Sequence, residues 1–270
     1  MTLISSLSNP KIKQVRSLRQ RKVRQESGSF LVEGIYPVGE AVAAAAAGKK
    51  LVIEMILYAP ERLSSDFAHR LVADQTQAGI PCFPTSLEVF ESVAEKDNPQ
   101  GILAVVHQVQ PDLAQLDSSN FPWGVALVAP QDPGNLGTIL RTIDAVGASG
   151  LLLLDNSVDP YHPSAVRASM GALFWHPIVS TNFEEFSRWV KQQAYHLYGS
   201  SAHAVVDHRQ VASYQRPCIM LLGSERQGLS NEQAAVCDTM IRLPMHGRVT
   251  SLNLAVAAGV MLYDMLEKLT

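Results

Sequence analysis

Cysteine is scarce: Cys82, Cys218 and Cys237 are the only three in 270 residues, and they are far apart. That excludes a disulfide framework and a C-x-x-C metal site. No apolar run approaches the roughly 18 residues of a membrane helix. The opening, Met1 to Pro10, lacks the basic-then-apolar order of a secretory signal. The eight histidines fall at no metal-ligand spacing, and His162 and His246 read as loop or surface residues. There is no H-E-x-x-H helix, no G-x-S-x-G elbow and no Ser-His-Asp order. Neither a P-loop nor a G-x-G-x-x-G is present, which sets aside a nucleotide-dependent oxidoreductase. Internal repeats are also missing. The expectation is a soluble, cytoplasmic chain with reduced thiols, no membrane partner and no metal. A net charge of -3 decides nothing about nucleic acid, because partners read local patches.

What is present is a chain 47% apolar and 17% charged, long enough to bury a substantial core without staples. Its charge is unevenly placed. The first 25 residues hold Lys11, Lys13, Arg16, Arg19, Arg21, Lys22 and Arg24 and no acid; the first acid is Glu26. Ile12, Val15 and Leu18 recur at helical spacing, with Asn9 as cap and Pro10 at the first position. This basic arm reads either as a phosphate-contacting, RNA-binding element or as a solvated helix face.

Strands and helices then alternate, which indicates layered α/β structure. Strands are expected at Phe30–Val32, Leu51–Tyr58, Pro81–Pro84 and Gly101–His107, with helices at Gly34–Gly48, Asp66–Gly79 and Ser86–Glu95. The polar stretch from Gln110 to Asn120 reads as a linker between a domain at residues 1–109 and a domain at 121–270. In the second half, apolar strands are expected at Gly124–Ala129, Leu151–Leu154, His176–Ser180, His196–Ser200, Cys218–Leu222 and Met240–Leu243. Helices are expected at Leu136–Val146, Ser164–Leu173, Phe183–Ala194 and Ser251–Leu269. Continuous apolar strands between helices imply a mainly parallel sheet covered on both faces.

Ligands of such sheets bind beyond the carboxyl ends of the strands. Three polar segments fall there: Pro130–Gly137, Gly223–Ser230 and Leu243–Asn253. Each has an ordinary reading as a turn followed by a capped helix. Arg141 does not fit that reading. It is the only Lys or Arg between Lys96 and Arg167, and a helix starting at Leu136 would put it in the first two turns, where the macrodipole disfavours a cation. Gly223 allows close backbone approach to a ligand. A cap at Thr250 or Ser251 would leave Asn253 in the first turn of the last helix.

Together the three segments resemble the SpoU (TrmH) family of RNA ribose 2′-O-methyltransferases, in the SPOUT superfamily. Asn135-Leu136-Gly137-Thr138-Ile139-Leu140-Arg141-Thr142 is similar to the family's first motif, Leu222 to Ser230 to its second, and Leu243–Gly247 with Ser251-Leu252-Asn253 to its third. Val166 to Ala172 also looks like the family, and the likeness runs from about Val125 to the C-terminus. The first hundred residues look like the ribosomal-protein-like RNA-binding domain that many members carry. There are four departures from the usual pattern: Arg226 for Gly, Leu243 for Ile, Ser164 for Lys, and the pair Leu254-Ala255 for Val-Ser.

The resemblance implies a small N-terminal α/β RNA-binding domain followed by a C-terminal α/β-knot methyltransferase domain threaded as a trefoil. It implies S-adenosyl-L-methionine held by backbone at Gly223, Leu243 and Leu252, and a homodimer packed through the apolar last helix. The catalytic set it implies is Arg141, Asn135, Glu225, Ser251 and Asn253, acting on ribosomal RNA or, alternatively, transfer RNA. Arg141 would orient phosphate and stabilise the developing alkoxide, because a guanidinium is hard to deprotonate. The competing expectation is a non-catalytic RNA-binding or ribosome-assembly factor that keeps the fold.

Overall fold

The computed structural model describes residues 2–95, 98–108 and 111–270. In its first part the chain forms α1 (Pro10–Ser17), α2 (Arg21–Ser27), β1 (Ser29–Glu33), α3 (Ile35–Ala46), β2 (Leu51–Tyr58), α4 (Asp66–Gln77), β3 (Cys82–Pro84), α5 (Leu87–Val93) and β4 (Ile102–Gln108). There follow β5 (Trp123–Val128), α6 (Pro133–Val146), β6 (Leu151–Leu154), α7 (Pro163–Ala168), β7 (Ile178–Thr181) and α8 (Phe183–Gln192). The chain ends with β8 (His196–Ser200), β9 (Val206–Asp207), β10 (Cys218–Leu222), α9 (Asn231–Ala235), β11 (Thr239–Arg242) and α10 (Leu254–Lys268). The layered α/β class holds. Two compact units divide the chain: Met1–Val109 with Tyr161–Trp175, and Gln110–Pro160 with His176–Thr270.

In the first unit a four-stranded sheet runs β1-β4-β2-β3, antiparallel except for the β2–β3 pair. Asn9 caps α1, its side chain accepting from the Lys11 amide at 2.9 Å. Ile12, Val15 and Leu18 are buried with Leu31, Phe90 and Leu103. The basic arm is two helices rather than one, because the chain turns after Ser17. Gly28 ends α2 at φ 67°, and a Cβ there would stand 2.6 Å from the His107 ring.

The excursion Tyr161–Trp175 packs within this same unit. Phe30 stacks on Tyr161 with centroids 4.5 Å apart, and the Trp175 indole donates to Glu40 at 2.9 Å. The helix expected over Ser164–Leu173 stops at Ala168. Met170 and Gly171 take left-handed φ of 50° and 93°, and Ala172–Phe174 forms a separate 3-10 turn.

In the second unit a seven-stranded sheet runs β7-β6-β5-β10-β8-β11-β9, and every pairing is parallel. Strands β5, β6 and β10 are buried along their whole length, the burial expected of strands covered on both faces. From β5 the chain steps outward through β6 and β7, then crosses to β8, and β10 later enters between β5 and β8. That reversal of direction is where a parallel sheet opens a crevice at its carboxyl edge.

Gln110, the first residue of the expected linker, lies outside the described residues; from residue 111 on, the stretch contributes to this unit's core. Leu113 and Leu116 are buried with Phe121, Phe186 and Trp189, and the Trp189 indole donates to the Leu116 carbonyl at 3.2 Å. Their i, i+3 spacing on a short 3-10 turn is masked by the polar residues around them. Helix α10 is tied down on its polar side: Asp264 accepts from the Tyr214 hydroxyl at 2.7 Å and from Lys268 at 2.8 Å. Among the described residues no helix is long and apolar enough to cross a membrane.

Candidate active site

The carboxyl ends of β8, β10 and β11 border a cleft of about 370 Å³. The second and third expected segments line it, Gly223, Leu243 and Leu252 included. A further segment, Ser200–His203, also lines it and was missed by the sequence reading. The signal was available, since these residues follow an expected strand and so lie at a carboxyl end.

Gly223 fixes the wall. A Cβ there would lie 2.1 Å from the Gly228 carbonyl carbon and 2.3 Å from the Leu229 nitrogen, so no side chain fits. The loop beyond it folds back on itself: Ser224 and Gly228 form an antiparallel bridge, with the Gly228 amide donating to the Ser224 carbonyl at 3.0 Å. This part of the cleft therefore offers backbone groups to a ligand.

A polar chain joins the three expected segments. Glu225 accepts from the amides of Gln131 and Asp132 at 3.2 and 3.4 Å, and from the Asn135 side chain at 3.3 Å. Asn135 in turn accepts from the Asn253 side chain at 2.9 Å. Asp132 caps α6 by accepting from the Asn135 amide at 2.8 Å, with Pro133 next in sequence. Each carboxamide uses both its donor and its acceptor, so its orientation is fixed from two sides. Two strained or pinned groups support the turn: Ala129 sits at φ 45°, and the Gln131 side chain donates to the Ala129 and Asn156 carbonyls at 2.8 and 3.1 Å.

Two expectations about helix starts are corrected. Asn253, not Thr250 or Ser251, caps α10; its side-chain oxygen accepts from the Ala255 and Val256 amides at 2.9 and 3.3 Å. The cap is thus the residue that also donates to Asn135. Helix α6 begins at Pro133, three residues before the expected start, so Arg141 lies in its third turn and the macrodipole does not bear on it.

Arg141 is exposed, on the face that also carries Thr138, and among the described residues it has no hydrogen-bond or ion-pair partner. The structure therefore links Asn135, Glu225 and Asn253 directly. Ser251 lies along the cleft, and Arg141 stands free of that chain of bonds. Burial pushes the thiols of Cys82, Cys218 and Cys237 up, the last two to about 12. Among the described residues no group of three His, Cys, Asp or Glu could hold a metal.

The basic arm separates into two kinds of residue. Lys13, Arg16, Arg19, Arg21 and Lys22 are exposed, although Arg16 reaches Ser92 at 3.1 Å and Arg19 the Ala94 carbonyl at 2.7 Å. Lys11 is half-buried, with its ammonium 4.7 Å from the Phe83 ring centroid. Arg24 leaves the expected RNA-contacting set. It is 4% exposed and donates to the Leu18 and Arg19 carbonyls, both at 2.8 Å, at the C-terminal end of α1. A cation at orphan helix carbonyls holds structure.

Known proteins share this fold. The family model described as SpoU rRNA Methylase matches residues 122–263, and that of the MRM3-like substrate binding domain matches residues 9–104. The 23S rRNA (guanosine(2553)-2'-O)-methyltransferase of Bacillus subtilis is 29% identical over 98% of this chain and 99% of its own. The 23S rRNA (uridine(2479)-2'-O)-methyltransferase of Streptomyces viridochromogenes is 32% identical over 92% of this chain and 85% of its own. A crystal structure of an AdoMet-bound rRNA methyltransferase from Sinorhizobium meliloti superimposes with a TM-score of 0.87 at 33% identity, covering 98% of this chain and 97% of that one. With a family model spanning more than half of its length, and an S-adenosylmethionine-using fold across nearly all of it, the chain belongs to the SpoU rRNA methylase family.

Proposed function

We propose that the protein methylates a ribose 2′-hydroxyl of ribosomal RNA, with S-adenosylmethionine as donor. The observation that carries this reading is the Glu225–Asn135–Asn253 chain of hydrogen bonds beside a backbone-walled cleft, with Arg141, which has no partner among the described residues, on the same helix as Asn135. The residues suit that cofactor. A cleft of about 370 Å³ lies within the range of pockets that bury a small molecule, and Gly223, which packs against the backbone of Gly228 and Leu229, lines it without a side chain. Backbone at Gly223, Leu243 and Leu252 would hold it. The cofactor supplies an electrophilic methyl on a sulfonium.

The chain's own residues do the rest. Asn135, oriented by Glu225 and Asn253, holds the ribose or Arg141 in register. Arg141 grips substrate phosphate and stabilises charge developing on the 2′-oxygen. Ser251 fixes the third segment and the RNA beside it. Alignment of hydroxyl and methyl within this frame contributes much of the remaining acceleration. The exposed cations of the first unit, Lys13, Arg16, Arg19, Arg21 and Lys22, with Lys11 at their edge, contact the RNA backbone and supply affinity.

We read the segment after β11, which returns to Asn135 through Asn253, as the part that completes the family's trefoil knot. The molecule acts as a homodimer through α10. Ribosomal RNA as substrate argues for the cytoplasm as the place of action. It is favoured over transfer RNA because the two named relatives act on 23S rRNA. The non-catalytic reading finds no support.

The test is transfer of labelled methyl from S-adenosylmethionine to ribosomal and to transfer RNA, with the product mapped for 2′-O-methylribose. Label at one ribose of ribosomal RNA is expected. Label in transfer RNA alone would reassign the substrate, and cofactor binding without transfer to either RNA would revive the non-catalytic reading.

A further inference from the structure

The cleft carries a charge that the roles above do not use. Arg226 lines it, is exposed, and among the described residues makes no hydrogen bond and no ion pair. Its backbone is held firmly. Arg226 lies between the bridged residues Ser224 and Gly228, and the Gln227 amide donates to the Ser224 hydroxyl at 3.3 Å. Its neighbour Glu225 is committed to Gln131, Asp132 and Asn135, so the nearest carboxylate in sequence is already engaged elsewhere. The result is an uncompensated guanidinium at the rim of a site that takes a sulfonium cation. The cofactor brings two cationic groups and a single carboxylate, so the loaded site keeps an excess of positive charge that calls for a further anion.

RNA brings that anion. Every internal ribose lies between two phosphates, and a 2′-hydroxyl aligned with the methyl carries its 3′-phosphate close to the same loops. Arg141, on α6, can grip only one of the two flanking phosphates with its planar fork. Glu225 and Asn135 bond the loop carrying Arg226 to that same helix. We propose that Arg226 is a positioning residue for the target nucleotide: it binds one backbone phosphate flanking the reactive ribose, while Arg141 binds the other. This rests on the reading of the protein as an RNA 2′-O-methyltransferase.

The test compares the wild type with Arg226→Ala, Arg226→Gln and Arg226→Lys, using a 23S rRNA transcript as probe. Binding is measured across a salt series, cofactor affinity by calorimetry without RNA, and methyl transfer under steady-state and single-turnover conditions. Arg226→Ala and Arg226→Gln should weaken RNA binding about tenfold and make the salt dependence shallower by about one unit, the signature of one lost phosphate contact. KM for RNA should rise more than kcat falls, and cofactor affinity should not drop. Arg226→Lys should keep the wild-type salt slope, since it keeps the charge. An unchanged slope in the Ala and Gln variants overturns the proposal. A fall in cofactor affinity with the slope intact also overturns it, and assigns Arg226 to the carboxylate of the cofactor's methionine tail. Failure of the wild type to methylate any RNA would overturn the underlying reading instead, and is visible without any variant.

Discussion

A charge count cannot tell which arginines meet a ligand. Arg24 and Arg141 both stand out in the sequence, one in a basic run and one isolated, yet their surroundings are opposite. Arg24 is buried on the carbonyls of Leu18 and Arg19, whereas Arg141 is exposed and unpaired among the described residues. Arg24→Met should therefore cost about 1–3 kcal/mol of stability, the scale of buried acceptors left unsatisfied, and leave the salt dependence of RNA binding as it was. Denaturant unfolding together with an RNA titration checks both halves. Arg141→Ala should do the reverse. Its single-turnover methylation rate should fall by roughly 10²-fold or more, with cofactor affinity nearly unchanged, the scale of one transition-state-stabilising group. Arg141→Lys should not rescue, because a point charge cannot reproduce the planar fork. A near-normal rate in Arg141→Ala would remove it from the mechanism and leave Asn135, Glu225, Ser251 and Asn253 to carry it.

At the scale of elements, strands were more legible than helix ends. Leu151–Leu154, His196–Ser200 and Cys218–Leu222 stand where their apolar runs place them, because burial on both faces leaves little room for other residues, and Leu51–Tyr58 does so although Val52 is exposed. Helix starts were misplaced where polar residues have two uses. Asn253 caps α10 and also bonds Asn135, and Asp132 caps α6 ahead of a Pro-Gly pair that reads as a turn. The motif residues were visible by spacing, but their hydrogen-bond order was not, since it joins positions some 90 and 118 residues apart. Helix α10 has a consequence of its own. Its polar side is bound through Asp264, while Val256, Val260 and Tyr263 stay 52%, 40% and 53% exposed along one stripe. A stripe of this kind beside the cleft residue Leu252 suits a second copy of the chain. Val260→Glu should raise the dimer dissociation constant at least tenfold, by desolvating an unpaired charge, as read by sedimentation equilibrium. Wild type that sediments as a monomer at micromolar concentration would remove the interface.

For the molecule as a whole, composition places a boundary where packing does not. The stretch from Gln110 to Asn120 looks like a tether because its residues are polar, yet Leu113 and Leu116 are core residues of the second unit. The Tyr161–Trp175 excursion looks continuous with the methyltransferase sequence, yet it packs on Phe30 and Glu40 in the first unit. Neither fact is local, so periodicity could not reveal it. We accordingly propose that the domains are separable only with these attachments respected. A fragment starting at residue 121 loses two buried leucines, at about 1.5–3 kcal/mol each as an upper estimate. It also leaves Tyr161 and Phe174 without their stacking partner. A fragment starting at residue 111 keeps the leucines and loses the first-unit partners of the Tyr161–Trp175 excursion, Phe30 and Glu40 among them. Thermal unfolding should rank the full chain above the fragment from 111, and that above the fragment from 121. Calorimetry should find S-adenosylmethionine binding in the fragment from 111, because the cleft and its chain of bonds lie wholly within the second unit. Equal stability of the two fragments would mean that Leu113 and Leu116 contribute nothing to the fold and that the stretch is a tether after all.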